Sequence, residues 1–152
     1  MHGKLPILGF RIGKMAYLTD FKSISASEKE KLAELDLFIL SALHHKSHHS
    51  HSNLKESIAF AQEVAATKTL FTHMSHHMGP HEATSKLLPD SIQLAFDGLN
   101  VVIWSEGLFY LFDGVHLNYV TLFDVVVVFD GQSTLKPLLD LLNSIFESFQ
   151  GR

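Results

Sequence analysis

The chain contains no cysteine. This absence excludes disulfide bonds, thiolate metal sites and cysteine nucleophiles, and it fits a cytoplasmic protein. No apolar run reaches the roughly 20 residues that a membrane-spanning helix needs, and the N-terminal residues lack the apolar stretch of a signal peptide. No basic stripe favours nucleic acid, and the formal net charge is −4. We therefore expect a globular cytoplasmic protein with no membrane or nucleic-acid partner.

Histidine, in contrast, is abundant and clustered. The chain has 11 histidines, and most of them lie between His44 and His77. One group reads HHKSHHSH from His44 to His51, and a second consists of His73, His76 and His77. Histidine is the commonest transition-metal ligand and titrates near neutral pH. Two such groups, at either end of one helix–strand unit, indicate chemistry more than packing.

The composition changes along the chain. The acidic excess lies entirely in residues 105–152, which are rich in Phe, Leu and Val and hold one histidine. We predict a boundary near Trp104–Gly107, with a finely patterned domain over residues 1–104. Residues 105–152 then form an extension of unknown role, with strands and one amphipathic helix over 135–149.

The apolar pattern of the first part predicts alternating strands and helices, and hence an α/β fold. Strands are predicted over residues 7–12, 15–19, 36–41, 69–72, 92–96 and 99–104, and helices from Ser25 to near Leu35, over 54–66 and over 81–88. Asn53 with Glu56 predicts a capping box at the second helix, whose apolar face would run from Leu54 to Ala65. Asp97-Gly98 predicts a β-hairpin turn.

Polar side chains follow the predicted strands where α/β sheets place their functional sites. Asp20 follows one strand and His73 another, while His51 directly precedes the second helix. We expect this order to bring His51 and His73 to one edge of the sheet. The free backbone N–H groups at the helix start would favour an anion beside His51. Asp20 is equally a candidate cap for the next turn, and His51 a solvated loop residue.

Five ordered motifs resemble the metallo-β-lactamase-fold hydrolases. They are HGKLP…GFRIG, YLTD, SHSNLKE, LFTHMSHHMG and LAFDGLNVVI, and they span residues 2–103. Within that family the motifs look most like the phosphoribosyl 1,2-cyclic phosphate phosphodiesterases. The resemblance implies the C-terminal half of a four-layer αββα sandwich, followed by an additional strand–helix tail.

The resemblance also implies roles for individual residues. His2 looks like a ligand of one metal ion, Asp20 like the carboxylate that bridges two ions, and His73 like a ligand of the other. His51 looks like the non-ligand histidine that contacts the phosphate and protonates the leaving oxygen. His76 matches a recurring position without an assigned role. The implied cofactors are two divalent ions, Zn²⁺ or Mn²⁺.

The sequence departs from the family in the tail after Trp104 and, more importantly, in containing no His-x-His-x-Asp-His motif. The first hypothesis is therefore a metal-dependent hydrolase of a small phosphodiester, such as a cyclic phosphate. Its metal site would need a missing N-terminal half-domain, or a homo-oligomer, for completion. The alternative is a non-catalytic remnant or interaction module. Its loop histidines His44, His45, His48 and His49 would bind metal weakly.

Overall fold

The computed structural model describes the backbone of residues 1–112 and 117–128, and the side chains of residues 1–101. In chain order the elements are β1 (Phe10–Ile12), β2 (Met15–Leu18), α1 (Ala26–Glu30), β3 (Leu37–Ser41), α2 (Leu54–Val64), β4 (Lys68–Thr72), a 3-10 turn (His76–Met78), α3 (His81–Ser85), β5 (Ile92–Leu94), β6 (Asn100–Phe112) and β7 (Leu117–Val128). None of the helices in these residues is long and apolar enough to cross a membrane.

The first five strands form one sheet in the order β1-β2-β3-β4-β5. β1 and β2 form an antiparallel pair connected by a turn at Gly13-Lys14, and the remaining neighbours are parallel. Parallel neighbours require crossover connections, which here contain α1, α2 and α3. The carboxyl ends of β2 to β5 consequently lie along one edge of the sheet. The predicted α/β fold is confirmed.

The sheet is buried on both faces, as β3 shows most clearly. Phe38 and Leu40 pack on the helix side with Leu54, whereas Leu37 and Ile39 pack on the opposite side. Since side chains alternate along a strand, burial of both sets requires cover on both faces. This double burial explains the continuous apolar run that predicts the strand.

Helix α2 begins as predicted but ends earlier. The Asn53 side chain accepts from the Glu56 backbone N–H at 2.9 Å, and the Glu56 carboxylate accepts from the Asn53 backbone N–H at 3.0 Å. Ser57 is fully buried, and its hydroxyl donates to the Ser41 carbonyl at 2.8 Å. Placing Ala65 on the buried face was wrong. Ala65 is exposed and left-handed (φ 54°, ψ 39°), because the chain reverses there toward β4.

The Asp97-Gly98 turn exists, but the predicted hairpin was wrong. The Leu99 N–H donates to the Phe96 carbonyl at 3.0 Å, and Gly98 has the positive φ that such a turn requires. However, β5 hydrogen-bonds in parallel to β4, and β6 pairs in antiparallel with β7. The turn therefore connects two strands of different sheets.

Two predicted helices are shorter than expected. α1 covers five residues from its cap at Ser25, whose hydroxyl accepts from the Glu28 N–H, and α3 also covers five residues. β6 is continuous through the predicted boundary at 104–107, with a register irregularity between Trp104 and Gly107. The division into two domains stays a prediction. The predicted helix over 135–149 lies outside the described residues.

Candidate metal centre

Asp20 and His73 occupy equivalent places at the sheet edge. Asp20 lies two residues beyond β2, and His73 directly follows β4. Both have left-handed backbone conformations, with φ of 54° and 57°. Residues other than glycine adopt this conformation infrequently, and surrounding contacts must hold them there. The two side chains meet across the end of β3, with His73 Nε2 3.1 Å from Asp20 Oδ1.

Backbone hydrogen bonds fix the segment that carries His51. The Ser52 N–H donates to the Phe21 carbonyl at 2.8 Å, directly after Asp20. The Ser52 carbonyl in turn accepts from the Leu43 N–H at 3.0 Å, just beyond β3. His51 is thereby held across the carboxyl ends of two adjacent strands.

His51 lies at the centre of the group. Its ring stacks on that of His73, with centroids 5.1 Å apart, which confirms that both lie at one sheet edge. His51 Nδ1 is 3.7 Å from Asp20 Oδ1, and His51 Nε2 is 3.1 Å from His2 Nε2. The side chain is 13% exposed, so most of its surface is withdrawn from water. The structure therefore brings together all four residues that the sequence singles out.

The backbone around His2 is anchored. The His2 N–H donates to the Leu5 carbonyl at 2.9 Å, and the reverse bond is 3.0 Å long. The Met1 ammonium group donates to the Ser23 carbonyl at 2.7 Å, and the Lys22 N–H donates to the Met1 carbonyl at 2.7 Å. These bonds attach His2 to the segment that follows Asp20.

Three of the four side chains fit a divalent cation together, and His73 reaches the same group only through Asp20. Ligand atoms of His2, Asp20 and His51 lie within 4.8 Å of one another, the only such group in the part of the chain with described side chains. Buried polar atoms normally have partners, yet His51 Nδ1 is buried and has none. Imidazole and carboxylate groups together suit Zn²⁺ or Mn²⁺. This donor set and its unpartnered nitrogen are consistent with metal ligation.

The environment of His51 favours its neutral form. Burial is the main cause that lowers the pKa of His51 below 6.5, and the neighbouring His73 and His2 lower it further. The Asp20 carboxylate acts in the opposite direction but is outweighed. Since a metal ion competes with protons for imidazole, a neutral His51 is ready for a ligand at neutral pH.

The anion site expected at the α2 N-terminus stays a prediction, because three of the amides there already have partners. The Leu54 N–H donates to the His44 carbonyl at 2.8 Å, and the N–H groups of Asn53 and Glu56 are engaged in the capping box. These donors have partners already, and the Glu56 carboxylate places negative charge at the same helix end. A phosphate beside His51 would have to be bound by side chains or metal rather than by these amides.

The loop histidines have different surroundings. His45 Nε2 lies 2.9 Å from the Met78 carbonyl, which ties the loop to the 3-10 turn. His48 is the member nearest the site, with its ring centroid 5.0 Å from that of His51. Its Nδ1 accepts from the Ser50 N–H at 3.3 Å, which leaves Nε2 as the protonated nitrogen of the neutral ring. This contact cannot be predicted from the sequence, because it depends on how the loop folds back.

Comparisons with known proteins find similarity over the part of the chain that contains these four residues. The sequence model of one protein family, the β-lactamase superfamily domain, matches residues 2–74 of this chain, and these residues include all four site residues. A crystal structure of a new diphosphatase from the PhnP family is 49% identical, with a TM-score of 0.63 over 65% of this chain and 39% of that chain. An octanoyltransferase from Porphyromonas gingivalis is 38% identical over 109 residues, which are 71% of this chain and 22% of the relative.

The chain thus spans about two fifths of the diphosphatase and about a fifth of the octanoyltransferase. The name of the octanoyltransferase describes a much longer protein, so it assigns no activity to the matched residues. The matches do agree with the observed mixed α/β sheet. The matched part of the chain therefore has the metallo-β-lactamase fold.

Proposed function

We propose that the chain forms part of a metal-dependent hydrolase that cleaves a phosphodiester or diphosphate bond in a small molecule. The observation that carries this proposal is the meeting of His2, Asp20, His51 and His73 at one sheet edge. The similarity to a PhnP-family diphosphatase supports the reaction class. Diphosphates and phosphodiesters both present a phosphorus atom with an oxygen leaving group, so the same site chemistry suits both.

In this proposal His2, Asp20 and His73 hold divalent metal, either Zn²⁺ or Mn²⁺. Asp20 has two carboxylate oxygens, and Oδ1 lies close to both His73 and His51, so it is the residue suited to bridge two ions. Bound ions would supply positive charge that stabilises the phosphoryl oxygens and the attacking water. The left-handed backbone at Asp20 and His73 places their side chains for this task before any ion arrives.

His51 contacts the phosphate and passes a proton to the leaving oxygen. Its partial burial keeps bulk water from competing for that proton, and its contacts with His2 and His73 orient the ring. The negative charge of a bound phosphate favours the protonated ring and so counteracts the effect of burial. The distances also allow His51 to act as a metal ligand, and the experiment below separates the two roles.

Four side chains are too few for two ions that each need about four ligands. The sequence contains no His-x-His-x-Asp-His motif to supply more. We therefore propose that a further polypeptide segment, or a second copy of the chain, completes the coordination.

The test is hydrolysis of bis(4-nitrophenyl) phosphate by the purified chain with added Mn²⁺ or Zn²⁺. We expect slow turnover that His73→Ala abolishes and that the exposed-residue control His81→Ala leaves unchanged. His51→Ala should lower kcat while metal binding persists; loss of metal binding would identify His51 as a ligand instead. Absence of both turnover and binding of Mn²⁺ or Zn²⁺ contradicts the proposal for this chain.

A further inference from the structure

An ion pair joins the two segments that carry Asp20 and His51. Lys22 Nζ lies 2.9 and 2.8 Å from the two carboxylate oxygens of Glu56. Lys22 is two residues beyond Asp20, and Glu56 is in the first turn of α2, five residues beyond His51. The ion pair therefore joins the segment that follows Asp20 to the start of α2, the same two parts of the chain that Asp20 and His51 bring together. Neither Lys22 nor Glu56 belongs to the candidate ligand set.

Glu56 makes two contacts with one carboxylate. Besides Lys22 it accepts the Asn53 backbone N–H at 3.0 Å, which completes the capping box. Burial acts to raise the pKa of Glu56, but the hydrogen bonds from Lys22 and Asn53 outweigh it and lower the pKa. The carboxylate is therefore charged at neutral pH and bonds both segments at once.

Lys22 also connects to His2 through its backbone. Its N–H donates to the Met1 carbonyl at 2.7 Å, while the Met1 ammonium donates to Ser23. The segments bearing His2 and Asp20 are thus joined to each other and, through Glu56, to the start of α2.

We propose that the Lys22–Glu56 pair is a positioning contact of the metal centre. It holds the segment bearing Asp20 and His2 against the helix start behind His51, at the separation that metal ligation requires. The inference rests on the proposed metal site and names residues that act on that site without touching metal or substrate.

The chain contains a matched control. Lys29 Nζ lies 2.6 Å from Glu63 Oε1 and joins α1 to α2. The residue types and the sequence separation are the same as in the Lys22–Glu56 pair, and both pairs are partly exposed. Glu63 lies seven residues, or two helical turns, further along α2. A general effect of removing a Lys–Glu pair should appear equally in both.

The experiment is calorimetric titration of the full chain with Zn²⁺. We expect Glu56→Gln and Lys22→Met to weaken Zn²⁺ binding by about tenfold or more, as for outer residues that orient metal ligands. Glu63→Gln and Lys29→Met should stay within about twofold of wild type, while Lys22→Arg, which restores the charge, should recover most of the affinity. Thermal unfolding midpoints of the Gln variants should agree within about 3 °C. Equal Zn²⁺ affinities in Glu56→Gln and Glu63→Gln overturn the inference.

A second measurement decides the inference without metal. Hydrogen exchange at the Ser52 amide, which donates to Phe21, should become about tenfold faster in Glu56→Gln and remain unchanged in Glu63→Gln. If the wild-type chain binds no Zn²⁺, the proposed function fails. If Ser52 exchange is the same in both variants, the positioning role fails whether or not the wild type binds Zn²⁺.

Discussion

Replacing Ala65 with glycine should stabilise the protein. Ala65 ends α2 in a left-handed conformation (φ 54°, ψ 39°), with its N–H bonded to the Ala61 carbonyl. That conformation costs an L-residue roughly 1–2 kcal/mol, a penalty that glycine does not have. Glycine loses more backbone entropy on folding, at about 0.5–1 kcal/mol. The difference predicts a net gain of about 0.5–1 kcal/mol for Ala65→Gly.

The assay is urea unfolding followed by circular dichroism, with Ala59→Gly as the matched control. Ala59 is exposed in the middle of the same helix, where glycine should cost about 1 kcal/mol. The two substitutions are chemically identical and differ only in backbone conformation, so their effects should have opposite signs. If both variants unfold at lower urea than wild type, the conformational argument is refuted.

Two further predictions concern buried groups. Ser57→Ala should destabilise the chain by about 1–3 kcal/mol, because its fully buried hydroxyl is bonded to the Ser41 carbonyl; an unchanged urea midpoint would contradict this. NMR titration should give His51 a pKa below its ordinary 6.5. As the pH falls below that value, unfolded chains take up a proton that the folded site resists, so His51 lowers stability on the acidic side. His51→Asn should flatten that decline, and a midpoint at or above 6.5 would disprove the argument.

Local patterns predict much of this fold. β3 is recognisable from its continuous apolar run, because the strand is buried on both faces of the sheet. α2 begins at the predicted capping box, because that interaction involves residues only three apart. The early end of α2 at Ala65 is less visible, since alanine is a helix former and adopts the left-handed conformation only where the chain must turn.

Long-range pairing explains the errors. Asp97-Gly98 forms a turn, but β5 bonds to β4, about 23 residues earlier in the chain, rather than to β6. The sequence predicts free backbone N–H groups at the start of α2, yet one of them donates to the His44 carbonyl. Neither partner can be identified from neighbouring residues.

The candidate site, like the fold, can be predicted where it depends on the order of the elements and not where it depends on long-range contacts. The placement of His51 and His73 at one edge of the sheet follows from the strand–helix–strand order, whereas their ring contact does not. The left-handed conformations at Asp20 and His73, and the bridge between Lys22 and Glu56, depend on how separate segments meet. The roles of His2, Asp20, His51 and His73 in metal binding and catalysis stay predictions.

The most direct test compares Zn²⁺ binding by two variants, Asp20→Ala and a chain with His44, His45, His48 and His49 replaced by asparagine. Metal bound at the strand ends predicts that Asp20→Ala loses high-affinity binding, while the loop variant retains it. If binding survives Asp20→Ala and disappears with the loop histidines, the metal lies in the loop, and the account of a catalytic centre at the sheet edge is contradicted.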